Sequence, residues 1–282
     1  MNGCVVSTAR PMMSRRMTSE QASQRVFLGV SALLFVASAA TTIVWCASMS
    51  SMGGMPMPGG WTMSMTWMRM PGQTWPGSAV SFLGMWIVMM VAMMLPSLVP
   101  MLWRYREAVG GVGGTAAARL GWLTTLVGVA YFFVWTAFGL GACVLGVTLA
   151  EIEMREPALS RLVPLAVGVV VLIAGVLQFT AWKARRLACC RETPGCGRTL
   201  PADVVTAWKH GVRLGLHCSS CCAGLMAILL VTGVMDLRAM AVVTAAMTVE
   251  RLAPNGERLA RIVGIVIVGA AMFLIAQAAA LV

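Results

Sequence analysis

The chain has 282 residues, 59% of them hydrophobic and only 11% charged, with a net charge of +11 and a mean hydropathy of +0.83. Soluble domains carry about 25% charged residues, so this composition excludes a soluble fold and makes lipid part of the solvent, with spans that are helices or a closed barrel. The apolar runs are long and do not alternate with period two, which selects helices; the basic residues flank those runs instead of gathering on one segment, which excludes nucleic acid as a partner and marks membrane orientation.

Residues 1–25 are polar and basic, with Arg10, Arg15, Arg16 and Arg25, and are expected to be cytoplasmic. Residues 26–47 form an uncharged run too long for the core of a cleavable signal, so they read as a retained first transmembrane helix. Residues 48–78 are low-complexity and crowded with Met49, Met52, Met55, Met57, Met63, Met65, Met68 and Met70. Their glycines and prolines argue against a regular element, and the first span places them outside. The remainder, 79–282, is expected to be a metal-binding membrane core. Its first span, 79–103, stacks Met85, Met89 and Met93 on one helical face, and Pro96 and Pro100 are expected to kink its inner end. The third span, 120–150, leads to Glu151, Glu153 and Glu156 in an outer loop, and the fourth, 162–182, ends on the inside at Lys183, Arg185 and Arg186.

A cytoplasmic loop, 183–213, carries Cys189, Cys190 and Cys196 and a short amphipathic helix through Trp208, expected to lie on the membrane surface. The fifth span takes His217, Cys218, Cys221 and Cys222 inward from that surface and emerges near Asp236. Residues 237–249 are shorter than a full span, so they are either re-entrant or extend past Glu250. The last span runs to Val282. With this topology every basic residue except Arg69, Arg155, Arg161 and Arg238 falls on the inner side, as the positive-inside rule requires. The expectation is an all-α, polytopic bundle of six or seven spans, N-terminus cytoplasmic, in a bacterial inner membrane.

In a helix Cys218 is one turn from Cys221 and Cys222, and His217 one turn from Cys221. The sulfurs of Cys189, Cys190 and Cys196 are expected to approach them from the neighbouring helix at the inner rim of the bilayer. Thiolates with an imidazole suit Cu(I), Zn(II) or an iron–sulfur cluster, and suit Mg(II) or Ca(II) poorly. Buried packing and thiol redox chemistry are the competing roles for cysteine. Met89 and Met93 are further soft donors on span two, and the outer methionines suit capture of Cu(I). Cys46 and Cys143 read as small buried hydrophobes. Glu250 reads as an interfacial anchor or a partner of Arg251, with an ion or proton role as the alternative. No nucleophile elbow, phosphate-binding glycine loop or paired-histidine zinc motif is present, so the chain is not expected to be an enzyme.

Three segments resemble the signatures of a bacterial family of uncharacterised integral membrane proteins, described as predicted metal-binding. They are Trp86-x-x-Met89-x-x-Ala92-Met93-Met94-x-Pro96, then Gln178-x-Thr180-x-x-Lys183 with Cys190-Arg191 and Pro194, then Cys218-x-x-Cys221-Cys222-x-x-Leu225-Met226 with Gly233-x-Met235 and Glu250. The likeness covers roughly 80–255. Arg186 stands where the family pattern has a cysteine, and Ser220 where it has a glycine. The resemblance implies metal binding and no reaction. The function expected is a copper-handling or assembly accessory, with zinc as the alternative metal. Its partners would be membrane lipid and a larger membrane complex or copper enzyme. A structural subunit of a larger complex and a thiol–disulfide oxidoreductase exchanging through Cys218 and Cys221 are the alternatives.

Overall fold

A computed structural model describes residues 10–51, 53–58, 60–64, 67, 72, 74–110, 117–191, 201–253 and 255–281, except the side chains of 10–20, 50–51, 189–191 and 281. The described residues form α1 (Arg10–Ser51), β1 (Gly54–Met57), β2 (Trp61–Ser64), α2 (Trp75–Gly110), α3 (Ala117–Arg155), α4 (Pro157–Leu177), α5 (Ala181–Arg191), α6 (Val204–Thr232), α7 (Leu237–Leu252) and α8 (Gly256–Leu281). The chain is an all-α bundle. Six of its helices, α1, α2, α3, α4, α6 and α8, are long and apolar enough to cross a membrane.

Helix α2 is the axis: 61% of its apolar window is buried, against 6% for α1 and 17% for α8. It runs through both Pro96 and Pro100. Its buried face is Trp86, Met89, Met90, Met93, Met94 and Leu98, and the Trp86 indole donates to the Trp135 carbonyl of α3 at 3.0 Å. Helices α3 and α6 lie parallel, because Gly211 meets Val127 and Ala130 while Gly215 meets Tyr131 and Val134. A Cβ on Gly215 would come within 3.0 Å of the Tyr131 carbonyl, so only glycine lets the two backbones approach this closely. Helices α4 and α8 pair antiparallel, with Gly168 against Ile275 and Gly175 against Val268.

Two expectations change. The methionine-rich segment contains an antiparallel hairpin, with Met55 opposite Met63 and Met57 opposite Trp61. Gly53 and Gly60, at φ +72° and +77°, supply its bends, and Pro56 is tolerated because both strands of a two-stranded ribbon are edges. Trp61 Nε1 donates to the Ser160 carbonyl at 2.9 Å and ties the hairpin to the start of α4. The amphipathic helix through Trp208 is not separate. It forms the first turns of α6, which starts where the Asp203 carboxylate caps the Thr206 N–H at 2.8 Å. Helix α7 stops at Leu252, short of a full span, in keeping with the length of its apolar run.

Candidate functional site

The functional geometry follows from the length of two helices. Cys218 lies midway between Val204 and Thr232, about 21 Å from either end of α6 at the helical rise. The sequence reading put this cysteine at the inner rim, where the apolar run begins. The helix begins about four turns before Cys218, with Lys209 and Arg213 on those turns, so the cysteine is central in α6 while lying beside Lys183, just past the end of α4. At the far end of α6, Gly233 (φ +131°) turns the chain back, and Asp236 caps α7 by accepting from the Arg238 and Ala239 N–H groups at 2.8 and 3.1 Å. Helix α7 then returns along α6 by about the same rise, which brings Glu250 and Arg251 level with the cysteines.

Arg251 closes over the sulfurs. Its Nη2 donates to Cys218 Sγ at 2.9 Å, to Cys222 Sγ at 3.0 Å and to the Cys218 carbonyl at 3.2 Å. Nη1 donates to Ser97 Oγ of α2 at 3.1 Å, and that hydroxyl donates in turn to the Met94 carbonyl at 3.0 Å. Cys218 Sγ also lies 3.9 Å from Met94 Sδ and 2.7 Å from the Tyr131 hydroxyl. Three sulfurs from α2 and α6 therefore converge beneath one guanidinium. Cys218, Cys222 and Met94 are each at most 2% exposed.

A second polar cluster stands beside the first. Lys183 Nζ meets Glu250 Oε2 at 2.8 Å and donates to the Cys221 carbonyl at 2.8 Å. Gln178 Nε2 donates to Glu250 Oε1 at 3.2 Å. Lys183, read from the sequence as an inner flanking charge, is 5% exposed, and Arg251 is 6% exposed. The charge-counting rule treats basic residues near span ends as orienting groups, and these two instead face carboxylate and sulfur inside the bundle. The partner of Glu250 is Lys183 and not Arg251. A cavity of about 220 Å³, lined by Gln178, Thr180, Lys183, Glu257 and Arg261 among others, lies on the Lys183 side of this pair.

Among the described residues Gln178 Oε1 and Arg251 Nε are buried without a hydrogen-bond partner, as are the Tyr105 hydroxyl and Trp135 Nε1 elsewhere in the bundle. Each such group costs on the order of 1–3 kcal/mol.

Of the predicted site residues, the structure brings Cys218 and Cys222 to one point. Cys221 is buried and offers its carbonyl to Lys183, and His217 is half-buried on the same helix. Met89 and Met93 are buried in the α2 core at 1% and 4% exposure, but Met94 is the thioether that touches Cys218. Cys196, and the side chains of Cys189 and Cys190, lie outside the described residues. Among the described residues no three His, Cys, Asp or Glu side chains form a group that could hold a metal ion. Among the described residues the soft donors that meet here are a thiol pair and a thioether. That donor set fits Cu(I).

Sequence reasoning missed Met94, Ser97, Tyr131 and Arg251. A signal for Met94 existed, since it falls inside the Ala92-Met93-Met94 motif, one residue from the position chosen.

A family model described as PpoB2, copper chaperone, matches residues 83–274. No curated protein matches the chain, and no solved structure does.

Proposed function

This chain belongs to the PpoB2 copper-chaperone family, and from that premise we propose that it holds Cu(I) inside the bundle, on Cys218, Cys222 and Met94, for delivery to a copper enzyme or complex of the same membrane. The observation that carries the reading is the meeting of three buried sulfurs from α2 and α6, two of them within 3.0 Å of one guanidinium nitrogen. Thiolate and thioether together match the soft monovalent ion and match hard cations poorly. Zinc has less support, because a structural zinc site takes four ligands in a closed tetrahedron and the described residues offer no three His, Cys, Asp or Glu donors together.

In this role each neighbour has a task. Tyr131 hydrogen-bonds Cys218 and fixes its rotamer. Ser97 links Arg251 to the Met94 turn of α2. The Lys183–Glu250 pair anchors the inner end of α7 and so holds Arg251 in place. In this reading the protein binds and delivers copper and needs no bond-making chemistry of its own. The basic residues flanking the long apolar helices support an N-terminus in the cytoplasm, and the membrane is taken to be a bacterial inner membrane. The buried methionines of α2 and Met63 of the hairpin, 2% exposed, supply further thioethers between the outer face and the thiol pair.

Elemental analysis of detergent-purified protein loaded with Cu(I) tests this. Wild type should retain a copper ion that the Cys218→Ser/Cys222→Ser variant does not. A Cys189→Ser/Cys190→Ser/Cys196→Ser variant should retain it. Equal copper in wild type and the Cys218/Cys222 variant removes the proposal.

A further inference from the structure

We infer that Arg251 decides which ions the buried sulfur pair accepts: it leaves room for a single positive charge, so a soft monovalent cation enters and a soft divalent one is refused. The inference rests on the copper reading of Cys218 and Cys222 and adds a selectivity to it.

The argument is a charge count made inside a dry site. A guanidinium is not deprotonated in proteins, so the charge of Arg251 is a fixed part of the centre. Among the described residues its partners are two sulfurs, the Ser97 hydroxyl and the Cys218 carbonyl, and no carboxylate. Glu250, its chain neighbour, is committed to Lys183 at 2.8 Å and to Gln178 at 3.2 Å. The charges of the Lys183–Glu250 pair cancel. Two metal-bound thiolates and one guanidinium then leave one negative charge uncompensated. A monovalent ion brings the centre to neutrality. A divalent ion leaves a net positive charge beside a buried arginine, where like charges repel far more strongly than in water. Softness alone cannot make this distinction, because Cd(II) and Zn(II) also favour thiolate. The distinction comes from the residue that touches both sulfurs.

The test uses the full chain in detergent, with Cu(I) and Cd(II) as the competing ions and the Cys218→Ser/Cys222→Ser variant as the blank for all other thiols. Cadmium is read from its thiolate charge-transfer absorbance in the ultraviolet, and copper from elemental analysis. Wild type should take Cu(I) above the blank and show no cadmium–thiolate band above it. Arg251→Gln should gain that band, with the Cd(II)-to-Cu(I) preference rising at least tenfold. Arg251→Lys, which keeps the charge, should restore the wild-type preference; a merely structural arginine would not be rescued this way. An unchanged preference in Arg251→Gln, or an Arg251→Lys that behaves like Arg251→Gln, overturns the inference. So does wild type that takes Cd(II) as readily as Cu(I), an arm that needs no Arg251 variant to fold. A wild-type chain that takes neither ion above the blank overturns the copper reading itself, which separates the two failures.

Discussion

At the scale of single residues, the centre is built from groups that rarely survive burial unless something answers them. Cys218 has a tyrosine hydroxyl at 2.7 Å, a guanidinium nitrogen at 2.9 Å and a thioether at 3.9 Å. Each can be removed separately. Met94→Leu conserves volume in a packed core and should cost under about 1.5 kcal/mol, so the protein should stay folded. It should nevertheless release Cu(I) to a chelator about tenfold faster, the loss of on the order of 1.4 kcal/mol of ligand contact. Met93→Leu, one residue away and facing the core, should release it at the wild-type rate. Equal rates in the two variants would refute Met94 as a ligand. Tyr131→Phe should lower stability by about 1 kcal/mol, the value of one net hydrogen bond, as read from thermal unfolding. The cysteines were legible in the sequence because sulfur at helical spacing is a chemical pattern. Lys183 and Arg251 were not, because a charge-counting rule cannot tell a cation that stops at the membrane surface from one that finds a partner inside.

At the scale of elements, the centre depends on how closely α3 and α6 approach and on how far α7 returns. Gly215 is the point of closest approach: an added side chain meets Val134 and the Tyr131 carbonyl at about 3 Å. Gly215→Leu should therefore destabilise by roughly 1–3 kcal/mol, as overpacking does. It should also weaken Cu(I) retention by moving Tyr131 away from Cys218. Gly128→Ala on the same pair of helices, where an added Cβ meets nothing within 4 Å, should leave both unchanged. A Gly215→Leu protein with wild-type melting and wild-type copper would show that the helices are not in tight contact there. The six helices long and apolar enough to cross a membrane were readable from the lengths of their apolar runs alone. The start of α6 was not, because Lys209, His210 and Arg213 made its first turns look like a surface helix. The missed signal was Asp203, an N-cap residue standing just before the run. The hairpin was missed because glycine and proline were taken as breakers, although in a two-stranded ribbon they supply the bends and sit on an edge.

At the scale of the whole molecule, the three motifs that looked separate in sequence meet in one place. Gln178 and Lys183 come from the α4–α5 stretch, Cys218, Cys221 and Cys222 from α6, Glu250 from α7 and Met94 from α2. Their convergence puts Lys183, Glu250 and Arg251, three of the four buried charged side chains among the described residues, at one place, an arrangement more typical of functional centres than of stabilising ones. The Lys183–Glu250 pair should accordingly behave as a unit. Glu250→Gln leaves a buried cation without its carboxylate and should cost about 3–5 kcal/mol. The Lys183→Met/Glu250→Met double variant should recover most of that loss in thermal unfolding, and losses that simply add would deny the coupling. The central claim, that soft sulfur donors from α2 and α6 hold the cargo, is tested most directly by X-ray absorption at the copper edge of the Cu(I)-loaded protein. The account predicts a shell of sulfur alone that loses a scatterer in Met94→Leu; a shell containing nitrogen or oxygen, or one indifferent to Cys218 and Cys222, would contradict it.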